Sequence, residues 1–171
     1  RYDASDPCQH DDPYTGSSRR SPCPASALQA LRSYAAMTER TGAQVRRLEE
    51  ADWTLARDLR LRALAEAPDA FAATLSEERD FPETRWRGRL ARRDAATFVA
   101  LHAARPAGIV VGGPLEDDAG LFSLWVAPEA RGRGLGAALV EAVIAWARDE
   151  GHARLLLDVG DHSAAAIALY A

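Results

Sequence analysis

The sequence predicts an α/β fold in which helices flank a mixed, largely antiparallel sheet. Two segments rich in Val, Ile and Phe, 96–103 and 107–112, are separated by a short Arg-Pro turn and predict an antiparallel hairpin. A strand, loop, helix and strand between 120 and 159 predict a βαβ unit, which adds a parallel strand. Helical apolar spacing at 51–67 and 134–151 supplies the covering helices.

Composition and charge exclude several classes of function. With 171 residues, 47% of them hydrophobic, the chain has the size of one domain with a sizeable core. Its net charge of −4 does not indicate a nucleic-acid partner. The chain contains no lysine, which excludes a P-loop, a Schiff-base lysine and a serine–lysine dyad. Neither a membrane-length apolar run nor a secretory signal is visible, so we expect a cytoplasmic protein with no membrane partner.

The first 36 residues differ in composition from the rest of the chain. They are rich in Pro, Asp and Ser with little apolar periodicity, so we expect 1–36 to be a disordered extension and 37–171 to form the domain. The two cysteines, Cys8 and Cys23, both lie in this extension, and the four histidines lack ligand spacing. We therefore expect neither a disulfide framework nor a metal site.

A strand and two helices are predicted at the start of the domain. Residues 43–50 predict a strand, and 51–67 a helix with Leu55, Leu59 and Ala63 on one face. A second helix is predicted at 82–93, where Pro82 occupies the first turn.

The predicted helix at 82–93 carries a dense set of arginines. They are interpreted most simply as a solvated face, with a basic lid over a substrate as the alternative. Trp86 and Leu90 are four residues apart and share one side. Trp86 is expected to be a packing anchor, with the lining of an acceptor pocket as the alternative.

The second half of the domain follows the hairpin. Residues 116–118 form a turn, 120–126 a strand and 134–151 a long helix. The core stripe of this helix is predicted to be Leu139, Val143 and Trp146. The continuous apolar segment 153–159 predicts a strand that is buried on both faces beside the preceding one, and a last helix begins near Ser163.

A glycine and arginine loop joins the strand at 120–126 to the long helix. Gly132, Gly134 and Gly136 alternate with other residues and are flanked by Arg131 and Arg133. Glycines leave backbone N–H groups unshielded, and the start of a helix favours negative charge. The loop therefore predicts a cradle for an anion, most simply a pyrophosphate.

The run from Val126 to Gly136 resembles the acyl-CoA-binding motif of the GNAT superfamily of N-acyltransferases in its Arg-x-x-Gly-x-Gly form. The predicted element order is similar to the family's from about Thr41 to Tyr170. The resemblance implies a sheet that splays after the motif strand. It also implies transfer of an acetyl group from acetyl-CoA, without a metal, to the amine of a small-molecule or peptide acceptor that the sequence does not identify.

The resemblance also implies roles for individual residues. The strand edge at Leu124, Trp125 and Val126 would pair with the pantetheine arm, and an N–H near Leu124 would stabilise the thioester oxyanion. The pyrophosphate would be held by Arg131, Gly132, Arg133, Gly134, Leu135, Gly136 and Ala137. Tyr170 would protonate the departing thiolate, although a core role at the helix end is the alternative. Trp125 is expected to be in the core.

The sequence departs from the family at two places. Ser163 stands where many members have an Asn that touches the coenzyme, so Ser163 is kept as a binding candidate. Members also continue past Leu-Tyr into a final hairpin, so we expect a C-terminally incomplete fold or a homodimer whose partner supplies the strand. Glu129, Glu141 and Asp158 are available as general bases, but none is assigned.

Two other functions remain open at this stage. One is a non-catalytic acyl-CoA-binding sensor or degenerate acetyltransferase that retains the loop. The other is a dinucleotide-dependent oxidoreductase, because Gly132-x-Gly134-x-x-Ala137 fits the dinucleotide pattern between a strand and a helix.

Overall fold

A computed structural model describes residues 43–157, which form a five-stranded sheet covered by helices. The strands are β1 (Ala43–Arg47), β2 (Ala96–His102), β3 (Arg105–Leu115), β4 (Asp118–Val126) and β5 (Leu155–Leu157). The helices are α1 (Trp53–Glu66), α2 (Leu75–Arg79), α3 (Glu83–Leu90) and α4 (Leu135–Asp149). Strands β1 to β4 are antiparallel neighbours, and β5 is parallel to β4. The predicted mixed, largely antiparallel sheet is confirmed.

Helix α4 packs on one face of the sheet through the predicted stripe. Leu139 and Val143 are completely buried, and Trp146 is buried with them. The sheet accommodates the indole of Trp146 at Gly112, where an added Cβ would lie 2.6 Å from Trp146 Cε3. Glycine at 112 therefore sets how closely the helix approaches the sheet.

The opposite face of the sheet carries α1 and α3. Ile109 and Val111 alternate with Gly112 along β3 and line a cavity under these two helices. On α1 the buried residues are Ala56, Leu59, Ala63 and Leu64. The sheet therefore separates a helix on one side from a cavity on the other.

The hairpin between β2 and β3 turns two residues earlier than the sequence predicts. Ala103 and Ala104 form the turn, with φ of 49° and 61°, and Arg105 and Pro106 belong to β3. Two left-handed residues match the right-handed twist of the strands that a two-residue hairpin loop joins. The Arg-Pro pair predicted as the turn is thus part of a strand.

Helix α2 is not predicted by apolar periodicity. Its start is fixed by a capping box in which Thr74 Oγ1 accepts the Glu77 N–H at 3.3 Å, and Glu77 Oε2 accepts the Thr74 N–H at 2.8 Å. Five residues are too few to show a helical repeat, so only the capping pattern marks this helix in the sequence.

Strand β4 contains a bulge in its centre. Ile109 is opposite Trp125 and Val111 is opposite Phe122, so two β4 residues face the single residue between them on β3. These two are Ser123, with φ of 58°, and Leu124. A bulge redirects the backbone locally, and bulges are common next to active sites.

The C-terminal part of the described chain completes a βαβ unit. Strand β5 follows α4 and pairs with the first half of β4, as predicted for 153–159. Leu155 and Leu156 are only partly buried, because the described sheet ends at β5 and leaves that strand with one neighbour. Four predictions lie outside the described residues: the extension at 1–36, the splay of the sheet beyond the residues of β4 that pair with β5, the last helix near Ser163, and the C-terminally incomplete fold. Within 43–157 no helix has the length and hydropathy of a membrane span.

Candidate active site

The glycine loop leads from β4 into α4 through a short 3-10 turn at Pro128–Ala130. Gly132 has φ of 72° and Gly134, the residue that caps α4, has φ of 78°. Left-handed backbone favours glycine because a Cβ would crowd the following carbonyl group. The two glycines thus permit the left-handed path that the loop takes into the helix.

The backbone N–H groups of this loop make up the candidate anion cradle. The Arg131 N–H donates to the Pro128 carbonyl at 3.3 Å, and the Ala138 N–H donates to the Gly134 carbonyl at 3.0 Å. Between them, six successive N–H groups have no acceptor among residues 43–157: those of Gly132, Arg133, Gly134, Leu135, Gly136 and Ala137. A run of donors without partners in the described structure, at the positive end of a helix, is the arrangement that favours an anion.

The two loop arginines differ in their surroundings. Arg131 donates from Nε to the Val126 carbonyl at 2.9 Å and from Nη2 to Glu66 Oε2 at 2.7 Å. Arg133 is exposed, and no residue in the described part of the chain accepts from its guanidinium. The sequence predicts equal roles for them, whereas in the structure only Arg133 is a free charge beside the cradle.

Glu66, at the C-terminal end of α1, connects the loop to the helical layer. Its Oε2 accepts from Arg131 and also from Trp125 Nε1 at 3.0 Å. The hydrogen bond from Trp125, followed by that from Arg131, holds the pKa of Glu66 below its usual value. Trp125 is buried as expected, and its indole N–H has a partner. No local pattern in the sequence marks Glu66, because its partners lie 59 and 65 residues away.

The edge of β4 beside the loop is exposed in the described structure. Residues 119–121 pair with β5, but no described strand pairs with 122–126 on that side. The Ala127 N–H donates to the Ala107 carbonyl at 2.8 Å. Hydrogen-bonded and non-hydrogen-bonded pairs alternate along an antiparallel ladder, so the next pair, Gly108 and Val126, makes no hydrogen bonds to each other. The peptide groups of Val126 therefore point to the open edge, where Arg131 reaches its carbonyl.

A cavity of about 370 Å³ lies between the sheet and the helices α1 and α3. The bulge residue Ser123 is in its wall, next to Leu124. The charged and aromatic side chains in the wall are those of Arg60, Glu78, Trp86, Arg89, Arg92 and Phe122. The cavity size lies in the usual range for small-molecule sites, about 300–1,000 Å³.

A buried carboxylate organises the polar end of this cavity. Glu78 is 2% exposed and accepts four hydrogen bonds, from Nε and Nη2 of Arg60 and from Nη1 and Nη2 of Arg89, at 3.0–3.2 Å. Burial raises the pKa of Glu78, but the bonds from Arg89 and Arg60 outweigh it and leave the pKa below its usual value. Glu78 is therefore an ionised anchor with both oxygens in use, and it is unsuited to act as a base.

Arg60 also connects this anchor to the bulge, because its Nη1 donates to Ser123 Oγ at 3.0 Å. The arginines of 82–93 are only partly the solvated face expected, since Arg89 and Arg92 line the cavity. Trp86 is buried, as an anchor should be, and also lines the cavity. Thr74 and Glu77, the capping residues of α2, are the sequence signal that marks the helix carrying Glu78.

The remaining predicted residues lie elsewhere. Tyr170, Ser163 and Asp158 are outside the described residues. Glu129 is exposed and pairs with Arg62 at 3.0 Å, and Glu141 is exposed on α4. Residues 43–157 contain no cluster of three or more His, Cys, Asp or Glu side chains that could hold a metal ion.

Comparison with known proteins agrees with this geometry. The family model described as the Acetyltransferase (GNAT) family matches residues 46–171. Human N-acetyltransferase 8 is 34% identical over 87 residues, which are 47% of this chain and 38% of that protein. The chain thus spans about four-tenths of the length of this curated relative.

Solved structures share the fold. The ribosomal-protein-S18-alanine N-acetyltransferase from Escherichia coli has a TM-score of 0.55 and 27% identity, over 75% of this chain and 74% of that chain. AAC(6')-Iy, in complex with the bisubstrate analogue CoA-S-monomethyl-acetylneamine, has a TM-score of 0.60 and 17% identity, over 75% of this chain and 86% of that chain. With the family match across most of its length, the chain belongs to the GNAT family of acetyltransferases.

Proposed function

We propose that this chain transfers the acetyl group of acetyl-CoA to the nitrogen of an amine acceptor. The observation that carries the proposal is the run of six unpartnered N–H groups, Gly132 to Ala137, at the start of α4 and beside the open edge of β4. A pyrophosphate fits such a cradle because it brings several acceptor oxygens and negative charge. The CoA-containing analogue in AAC(6')-Iy supports the same choice.

The residues at hand suit a direct transfer. The amine nitrogen attacks the thioester carbonyl carbon and loses a proton to water, the carbon–sulfur bond breaks, and the thiolate leaves with a proton supplied by a donor. In the proposal Leu124, at the bulge, gives the N–H that stabilises the oxyanion, and Leu124, Trp125 and Val126 supply the strand edge for the pantetheine arm. Arg133 is the free cation of the phosphate site.

Two proposed roles belong to residues outside the described range. Tyr170 would protonate the thiolate, because a phenol with a pKa of about 10 is a competent acid for a thiol leaving group. Ser163 would donate one hydrogen bond to the coenzyme. A cytoplasmic location and a homodimer also stay predictions.

The oxidoreductase alternative is disfavoured by the fold and the family. Dinucleotide-binding domains use a doubly wound, mostly parallel sheet, whereas four of these five strands are mutually antiparallel neighbours. Calorimetric titration tests this directly: we expect acetyl-CoA to bind and NAD not to bind. If NAD binds and acetyl-CoA does not, the proposal is refuted.

Turnover is tested by the release of free CoA thiol when the protein and acetyl-CoA meet amines, amino acids, aminoglycosides and peptide N-termini. The proposal requires thiol release and a matching N-acetylated product by mass spectrometry with at least one acceptor. Tight binding of acetyl-CoA with no turnover across the panel would instead indicate the acyl-CoA sensor.

A further inference from the structure

The cavity wall carries more positive than negative charges. Two guanidinium groups, those of Arg60 and Arg89, stand against the single carboxylate of Glu78. A third lining arginine, Arg92, is balanced by Asp94 at 2.8 Å. The polar end of the cavity therefore keeps about one net positive charge, with the Arg60 side chain 13% and the Arg89 side chain 39% exposed to solvent.

Arg89, at the positive end of the cavity, has N–H donors without an acceptor in the described residues. A guanidinium has five N–H donors, and Arg89 uses two of them on Glu78, so three have no acceptor within the described residues. The group is held in place, with its Cζ 4.9 Å from the centre of the Trp86 ring and 5.1 Å from that of Phe81. A fixed guanidinium with free donors is well suited to a carboxylate.

The indole of Trp86 forms part of the wall beside Arg89. This side chain is 3% exposed and lines the cavity. Its Nε1 is buried and has no hydrogen-bond partner in the described structure, so Trp86 offers a ligand the face of its ring and not its N–H.

The rest of the wall is apolar. Leu90, Ile109, Val111 and Phe122 surround the cavity, and Phe122 is the one large hydrophobic residue that is exposed in the described part of the chain. A polycation would meet two arginines here, and both oxygens of the one lining carboxylate are already in use. The wall instead matches an apolar body with an acidic group at one end.

From these contacts we infer that the acceptor is a small amine that also carries a carboxylate and an apolar side group, as an amino acid does. Arg89 binds the carboxylate, Trp86 and the apolar wall cover the side group, and the amine faces the bulge of β4 at Ser123 and Leu124. Arg60 is a positioning residue, since it joins the Glu78 anchor to Ser123. The inference rests on the proposed function and names the acceptor class of that site.

The test compares each amino acid with the amine that lacks its carboxylate. L-Phenylalanine with phenethylamine and L-leucine with 3-methylbutylamine are two such pairs, and neamine represents the polycations. Binding to the full chain saturated with CoA is measured by calorimetry, and kcat/KM is measured with acetyl-CoA by thiol release. We expect at least one amino acid to be preferred over its amine by about 10–100-fold in both readouts, as for loss of a charge-assisted hydrogen bond.

Variants separate recognition from folding. Arg89→Gln should remove most of the preference by weakening the amino acid and not the amine, whereas Arg89→Lys, which keeps the charge, should retain part of it. Arg79→Gln is the matched control, because Arg79 is exposed on α2 and does not line the cavity. Unchanged CoA affinity in all three variants shows that the fold is intact.

The outcomes distinguish the two proposals. Carboxylate preference that is lost in Arg89→Gln and kept in Arg79→Gln supports the inference. Equal binding within every pair, tighter binding of neamine, or a preference that survives Arg89→Gln overturns it. Carboxylate-dependent binding with no thiol release for any amine would leave the recognition standing and refute the acetyl transfer.

Discussion

Replacing Gly132 by alanine tests the phosphate cradle most directly, because the chain offers a matched control. Gly132 and Gly151 both have left-handed backbone, with φ of 72° and 84°, and an added Cβ would meet no atom within 4 Å at either position. The two positions therefore share the same local strain. They lie before and after the same helix, α4, so only Gly132 is in the cradle.

The expected magnitude follows from the backbone. An L-residue in left-handed conformation costs about 1–2 kcal/mol. Each variant should lose this much unfolding free energy if its loop stays in place, a fall in Tm of about 2–8 °C for a domain of this size. If the loop of the Gly132→Ala variant relaxes instead, the same free energy reappears on binding and weakens CoA by a factor of about 5–30.

Calorimetry with CoA and thermal unfolding measure both quantities on the same samples. If Gly132→Ala keeps the wild-type Tm, it should bind CoA about 5–30-fold more weakly than Gly151→Ala, which should bind like the wild type. Wild-type Tm together with wild-type CoA affinity in Gly132→Ala, or weaker binding in Gly151→Ala, would refute the assignment of residues 132–137 as the phosphate site.

Four further changes have defined outcomes. Gly134→Val places a β-branched residue at φ of 78° and should abolish coenzyme binding in calorimetry. Tyr170→Phe should lower kcat by about 10²–10⁴ in the thiol assay with little change in CoA affinity; full turnover would exclude the acid role. Glu78→Gln leaves two arginines without their buried anion, and it should lower the unfolding free energy measured by urea denaturation by about 3–5 kcal/mol. The control Glu83→Gln removes an exposed ion pair with Arg87 and should lower it by less than about 1 kcal/mol. Folding lowers the pKa of Glu66, so its contribution to stability is present above its ordinary pKa of 4.5 and is lost as the pH falls through the folded pKa. In Glu66→Gln the unfolding free energy should therefore depend less steeply on pH in acid. An unchanged pH dependence in acid would count against the contacts with Trp125 and Arg131.

Local patterns predicted much of the fold. The spacing of Leu139, Val143 and Trp146 identified the buried face of α4, because this helix is long enough to show several repeats. The glycine loop predicted where left-handed backbone occurs, at Gly132 and Gly134, because such backbone needs a residue type that sequence reveals, while its binding of phosphate stays a prediction. Patterns shorter than a repeat failed: the five residues of α2 were missed, and Ala103 and Ala104 carry no turn signal.

Contacts between distant residues could not be predicted from one sequence. The sequence around Arg131 and Arg133 does not indicate that Glu66, at the end of α1, binds Arg131 and not Arg133. The anchor of the cavity likewise joins Glu78 to arginines 18 residues before it and 11 after it. Such partners are chosen by the packing of helices on the sheet, which a single chain's periodicity does not encode.

The cradle is built from groups that do not titrate in the physiological range. Backbone N–H groups carry no proton that titrates in water, and an arginine guanidinium is a permanent cation in proteins. The charge of the cradle's own groups is therefore constant across the pH range of an enzyme assay, where only the coenzyme's phosphate changes its charge. If the chain transfers an acetyl group as proposed, a bell-shaped pH profile of kcat at saturating acetyl-CoA reports groups outside the cradle, such as the acceptor amine and the proton donor.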